Sequence, residues 1–375
     1  MTVTLDVLPA AHGDALVITY GPAGGEHRIL VDGGPAPTYA KGLRTHLAGL
    51  DAAARHFELA IVTHIDADHI DGSLILFQDH DLALSIDDVW FNGWPQVAAA
   101  DGAAAAASAS SSGDGDRGAL QGEFLTRLLS TRAWNTIAAG QAVTRDLDRH
   151  IDLPGGAQLT VLSPTPVELD VLRKDWTATL TKAGFAPGDG AGVAARLQQR
   201  GRYDPPDEPA GPAERGEPGE RGPAVSKLGS DRAPANGSSI AVLLEVEGKR
   251  LLLGGDAHSR VMVDALRGLT ERFGTSTVNV DVFKLAHHGS AGNITRELLD
   301  LLRCDRFVVS TNGDHFHHPD AEAIELLGRP GAATLPTVYF NYLSKTTRRW
   351  ADTAEQQRTG IQAVYGDDGH LTVTI

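Results

Sequence analysis

Between Thr63 and Gly72 the chain reads Thr-His-Ile-Asp-Ala-Asp-His-Ile-Asp-Gly, which places His64, Asp66, Asp68 and His69 within six consecutive positions. Imidazole nitrogens and carboxylate oxygens are donors for divalent metal ions. The apolar run Leu59-Ala60-Ile61-Val62 just before them predicts a buried strand. On leaving such a strand, His64 and Asp66 point the same way, while Asp68 and His69 turn with the chain toward a second point nearby. A loop of this kind can serve two ions. The plain alternative is a polar turn with aspartate caps, but two histidines among three carboxylates exceed any capping need.

Two further signals lie downstream. Leu251-Leu252-Leu253-Gly254-Gly255-Asp256 puts a carboxylate after an apolar run, and Phe283-Lys284-Leu285-Ala286-His287-His288 does the same with paired histidines. Alone, the first reads as a helix cap and the second as a solvated turn. Together they describe ligands converging from several strand ends. The pair by itself does not decide which of His287 and His288 is the ligand.

The elements that must position these residues are short. Val3 to Leu8, Ala15 to Tyr20 and Arg28 to Asp32 are strand-like runs bounded by Gly or Pro, a meander of antiparallel strands, and Thr38 to Leu50 has helical spacing. Later come strands Ile240 to Val246 and Arg250 to Leu253, a helix Val261 to Phe273, a strand Val278 to Ala286, a helix Thr295 to Leu302, a strand Phe307 to Thr311 and a last strand pair within Ile361 to Ile375. This mixture predicts an α/β (α+β) chain with two sheets between helical layers. It reads as one domain, 1–375, with two flexible surface insertions. Segment 98–118 is largely Ala and Ser, and segment 200–237 is crowded with Pro, Gly, Arg and Glu.

The chain has 375 residues, 42% of them hydrophobic, and no apolar stretch of about 18 residues that would span a membrane. One cysteine, Cys304, excludes an intrachain disulfide, and the first residues lack a secretory leader, so a cytoplasmic location is expected. A net charge of −15 argues against holding nucleic acid through a broad basic surface. It leaves local binding open, because bound dications reverse the field at the site.

These motifs together resemble the metallo-β-lactamase superfamily, and within it the soluble hydrolase domain of the ComEC-type competence proteins. Leu30-Val31-Asp32-Gly33-Gly34 resembles its first motif, His64 to His69 its His-x-His-x-Asp-His motif in a His-x-Asp-x-Asp-His form, Gly255-Asp256-Ala257 its bridging-aspartate motif, and His287-His288-Gly289-Ser290 its last histidine motif. His12-Gly13-Asp14-Ala15, Asn236-Gly237-Ser238-Ser239 and His318-Pro319 are further marks of the competence group.

The resemblance implies a metallo-β-lactamase αββα sandwich holding one or two divalent metal ions, zinc or manganese. His64 and Asp66 would hold one ion, Asp68, His69 and His287 the other, and Asp256 would bridge them. On that assignment the second set is richer in nitrogen and binds tighter. Asp66 stands where a histidine is commoner, and the usual third-motif histidine is missing, so oxygen donors tilt the first set toward manganese. Asp68 would orient the attacking water, and His288 or His318 would give a proton to the leaving oxygen. For His318 a contact beside Pro319 at a helix start is the structural alternative; for His12, His315 and His317 a structural role is expected. Asp32 is expected to hydrogen-bond a ligand histidine.

The implied activity is a metal-dependent phosphodiesterase or nuclease with a nucleic acid or nucleotide substrate. A carbonyl-ester, lactone or thioester hydrolase and a non-catalytic binding module are the alternatives. Protein partners are not readable from the sequence.

Overall fold

The computed structural model describes residues 2–100, 115–147, 150–199, 201, 203–206 and 230–375. In chain order its strands begin with β1 (Thr4–Val7), β2 (Leu16–Tyr20), β3 (His27–Val31), β4 (His56–Ile61), β5 (Ser85–Trp90), β6 (Ile151–Asp152), β7 (Gln158–Ser163) and β8 (Ala241–Val246). They continue with β9 (Lys249–Leu253), β10 (Val278–Asn279), β11 (Val282–Lys284), β12 (Leu302–Arg303), β13 (Arg306–Val309), β14 (Thr337–Phe340), β15 (Gln362–Tyr365) and β16 (Leu371–Thr374).

One sheet has the order β16-β1-β2-β3-β4-β5 and the other β15-β14-β13-β11-β9-β8-β7-β6, with β10-β12 as a small separate ribbon. Period-two alternation explains why the sheets stack. Ile18, Ile29, Leu59 and Ile61 of the first sheet pack against Val242, Leu244, Leu251 and Leu253 of the second. Their alternate neighbours face outward. Val17, Leu30 and Ala60 pack under the helices Ala67–Leu76 and Gly115–Leu129, and Leu243, Leu252 and Phe283 under the helix Ser259–Phe273. The result is the αββα sandwich that the sequence motifs imply.

The strands that matter for the site are parallel within each sheet. β3 runs with β4 (Val31 opposite Ile61), and β9, β11 and β13 run together (Lys284 opposite Leu253 and Val308). Their C-terminal ends therefore open along one edge, where ligand sites of such sheets form. The helix Ala67–Leu76 sits close against this edge because Gly72 faces Gly33: a Cβ on Gly72 would lie 2.0 Å from the Gly33 carbonyl oxygen.

Three expectations need correction. The last strands are not a pair: β15 joins β14 in parallel and β16 joins β1 antiparallel, in different sheets, because Leu371 and Val373 bury between the sheets while β15 lies at an edge. The run Val278 to Ala286 splits into β10 and β11, each with its own partners. The segments read as insertions, 98–118 and 200–237, also take in folded residues. Residues 101–114 and 207–229 lie outside the described residues, but 115–118 start a helix, and Pro234–Gly237 is a buried helical turn. That turn is anchored by the Asp231 carboxylate, which accepts hydrogen bonds from Ala233 N (2.9 Å), Asn236 Nδ2 (2.8 Å) and Asn293 Nδ2 (3.0 Å).

The two sheets are pinned together at the shared edge by a buried ion pair. Lys284, the last residue of β11, donates to Asp14 in the turn between β1 and β2, and both side chains are 1% exposed. Removing one partner of such a pair leaves an uncompensated buried charge, whereas replacing both with apolar groups is far milder. Lys284→Met is expected to destabilise the chain by about 3–5 kcal/mol, and the Asp14→Leu/Lys284→Met double variant to recover most of that loss. Urea unfolding of the three proteins measures this. A single variant as stable as the parent would show that the pair is not what compensates Asp14.

Candidate metal centre

β4 delivers Thr63 and His64 to the open edge, and the helix Ala67–Leu76 starts three residues later. Asp66 occupies the N-cap position of that helix, yet its side chain caps nothing, and its buried Oδ1 has no hydrogen-bond partner. The capping alternative therefore fails for Asp66. Its Oδ2 lies 3.6 Å from His64 Nε2 instead.

Asp256, just beyond β9, stands at the middle of the cluster. Its Oδ2 is 3.9 Å from His64 Nε2 and 3.7 Å from His287 Nε2. Its Oδ1 is 3.4 Å from His69 Nε2 and 3.9 Å from His288 Nε2. Asp68 Oδ2 completes the second side, 3.9 Å from His69 Nε2 and 3.4 Å from His288 Nε2. Ligand-type atoms of His64, His69 and Asp256, and of Asp68, His69 and His288, lie within 4.8 Å of one another.

The geometry thus groups His288, rather than His287, with Asp68 and His69, and puts His287 on the side of His64 and Asp66. Both histidines of the pair have positive φ, 49° and 54°, and their rings stand at 71° to one another, so adjacent residues serve opposite sides of Asp256.

Each ring is held from outside by its Nδ1. Asp32 Oδ2 lies 2.8 Å from His69 Nδ1, and the Asp32 carboxylate also accepts Thr63 N (2.7 Å) and Thr63 Oγ1 (2.8 Å). His288 Nδ1 donates to Ser310 O at 2.8 Å. Asp231 Oδ2 (3.2 Å) and Asn293 Oδ1 (3.1 Å) flank His287 Nδ1, and Thr63 Oγ1 (3.0 Å) meets His64 Nδ1. Outer partners of this kind fix ring tautomers and turn the Nε2 atoms inward.

Among those inward atoms, His64 Nε2 and Asp256 Oδ1 are buried without a hydrogen-bond partner. Burial alone would lower the pKa of His69, but Asp256, Asp68 and Asp32 raise it well above the ordinary value; His287, opposed by burial and favoured by Asp256 and Asp231, is pushed up to about 10. Burial would raise Asp68 and Asp256, yet the surrounding histidines hold both well below the carboxylate range. With His64 Nε2, Asp66 Oδ1 and Asp256 Oδ1 buried and unpartnered, the cluster has donor atoms to spare. Divalent cations fit it, with four imidazoles and three carboxylates as donors.

His318 stands outside the cluster. Its ring meets that of His287 edge-on at 5.1 Å, and its Nδ1 is 3.5 Å from Asp320 Oδ1. His12 and His315 pack against each other at 4.9 Å. Sequence reasoning missed Asp231, Asn293, Ser310 and Lys284. A lysine ending a buried strand was a usable signal; Asp231, inside a segment read as an insertion, offered none.

No family model matches the chain. It is 27% identical over 114 residues to ComE operon protein 3 of Bacillus subtilis, a match covering 30% of this chain and 14% of that protein, so the chain aligns with only a small part of that relative. Among solved structures it is similar to the metallo-β-lactamase fold protein YhfI from Bacillus subtilis (10% identity, all of both chains, TM-score 0.41). It is also similar to a variant of the β-hydroxylase CmlA (11% identity, all of this chain and 53% of that one, TM-score 0.41). A third is zinc-bound PqqB from Methylobacterium extorquens (12% identity, 98% of this chain and 99% of that one, TM-score 0.40).

Proposed function

We propose that the chain is a metal-dependent hydrolase of phosphodiesters. The observation that carries this reading is the placement of Asp256, with one carboxylate oxygen toward His64 and His287 and the other toward His69 and His288. Divalent cations bound there would supply an acidified water and positive charge for the oxygens of an in-line displacement, which a phosphodiester uses most fully.

In this reading His64, Asp66 and His287 would hold one ion and Asp68, His69 and His288 the other, with Asp256 available to each. Asp68 also accepts a hydrogen bond from the attacking water and so fixes its direction. His288, with Nδ1 committed to Ser310 and Nε2 turned inward, is a ligand rather than a proton donor. In this reading His318, beside His287, would give the leaving oxygen its proton.

The regrouping changes the metal chemistry expected from the sequence. Each set now has two imidazoles, one carboxylate of its own and a share of Asp256, so no difference in nitrogen content separates them. Calorimetry on metal-stripped protein is expected to show two equivalents of zinc or of manganese bound with similar affinity. Asp66→His makes one set nitrogen-rich and splits the zinc isotherm into a tight and a weaker step; an unsplit isotherm would show that Asp66 is not a donor.

Activity is tested with metal-stripped and reloaded protein on small phosphodiesters, lactones and thioesters. Phosphodiester hydrolysis is expected to need added metal and to fall by more than about 100-fold in Asp68→Asn. Turnover of lactone or thioester alone would replace the substrate class, and full activity after metal removal would end the proposal.

A further inference from the structure

The four imidazoles of the centre are not held by the same parts of the fold. His69 Nδ1 meets Asp32, which follows β3, and His288 Nδ1 donates to Ser310 O, which follows β13. Both of these supports are carried by strands of the sandwich. The other two rings reach a different stretch. Asp231 Oδ2 lies 3.2 Å from His287 Nδ1. His64 Nδ1, besides meeting Thr63 Oγ1, lies 3.5 Å from Ser239 Oγ, which also accepts Asp256 N at 3.0 Å. Asp231 and Ser239 belong to residues 230–239, which precede β8 and form part of neither sheet.

Asp231 makes more bonds than this stretch needs for a turn. A turn requires one side-chain acceptor, and Asp231 Oδ1 supplies it to Ala233 N at 2.9 Å. Its Oδ2 faces three further nitrogens: His287 Nδ1, Asn236 Nδ2 (2.8 Å) and Asn293 Nδ2 (3.0 Å). Asn293 is fully buried, and its Nδ2 also donates to Asp256 O (3.2 Å) and Ala257 O (3.1 Å). That orientation leaves Asn293 Oδ1 turned to His287 Nδ1 at 3.1 Å. One carboxylate thus fixes the turn, the amide behind Asp256 and the ring of His287.

We propose that Asp231 is a positioning residue for one half of the centre: it sets how tightly His64, Asp66 and His287 hold their cation, and it couples that affinity to the folding of residues 230–239. The set of Asp68, His69 and His288 is independent of it. This rests on the metal-centre reading above and deepens it. The physical basis is linkage. A cation that needs His287 in position binds the chain whose 230–239 stretch is in place, so the bound cation stabilises that stretch by the same factor. In Asp231→Asn the side chain keeps an acceptor for Ala233 N but turns a donor toward the three nitrogens, which removes the carboxylate from His287 while sparing the turn.

Zinc calorimetry on the metal-stripped full chain tests the proposal, with hydrogen exchange of residues 230–239 as a second readout. Asp231→Asn is expected to weaken one of two zinc equivalents by about 10–100-fold and to leave the other within about twofold. In the parent, zinc is expected to slow exchange of the Gly237 and Ser239 amides, which bond Ala233 O and Asn236 O, and in Asp231→Asn to slow it much less. Equal weakening of both equivalents, as a merely structural Asp231 predicts, overturns the proposal. So does no weakening of either, or exchange in the parent that zinc leaves unchanged. The exchange measurement on the parent needs no variant and decides even where Asp231→Asn fails to fold. A parent chain that binds no zinc ends the metal-centre reading itself, whereas two equivalents untouched by Asp231→Asn end this proposal alone.

Discussion

Everything at the open edge of this sandwich answers one electrostatic demand. Asp14, Asp32, Asp68 and Asp256 are each at most 6% exposed and gather in one region, and buried carboxylates are tolerated only when paired or fully hydrogen-bonded. Asp14 is met by Lys284, and Asp32 by Thr63 and His69. Asp68 and Asp256 are left with imidazoles alone. Cations bound between them would therefore support the fold as well as the chemistry, because they would bind the folded arrangement and not the unfolded chain.

That demand is met only because both sheets contribute to the same edge. His64, Asp66, Asp68 and His69 follow β4 of the first sheet; Asp256, His287 and His288 follow β9 and β11 of the second. The backbone hydrogen bond from Ile240 N to Thr63 O (2.9 Å) and the Asp14–Lys284 pair cross between the sheets within a few residues of these donors. Relative sliding of the sheets would separate the two sides of Asp256. The position of the sheets thus sets the geometry of the candidate metal centre.

Much of this was legible in the sequence, for a physical reason. Short apolar runs bounded by Gly or Pro mark the buried strands, and ligand-type residues crowd where the runs of β4, β9 and β11 end. The assignment within the site was harder. Two consecutive histidines carry no sequence record of their backbone angles, and the positive φ of both residues sends His288 to Asp68 and His287 to the other side. Asp231 was hidden for a different reason: composition averaged over a long polar segment masks the few residues in it that fold back. The two last strands read as a pair because sequence proximity suggests pairing, while burial of Leu371 and Val373 between the sheets decides otherwise.

The separation of those strands also shapes how the chain acquires its structure. β1 lies between β2 and β16, with Thr4 opposite both Thr19 and Thr374. On the ribosome, β1 through β5 can assemble early, but the outer side of β1 keeps unpaired backbone groups until residues 371–374 have emerged. Everything between Val7 and Leu371 must therefore be made before β1 gains its second neighbour. A nascent or truncated chain that lacks residues 371–374 carries an open strand edge, a template for pairing with other chains.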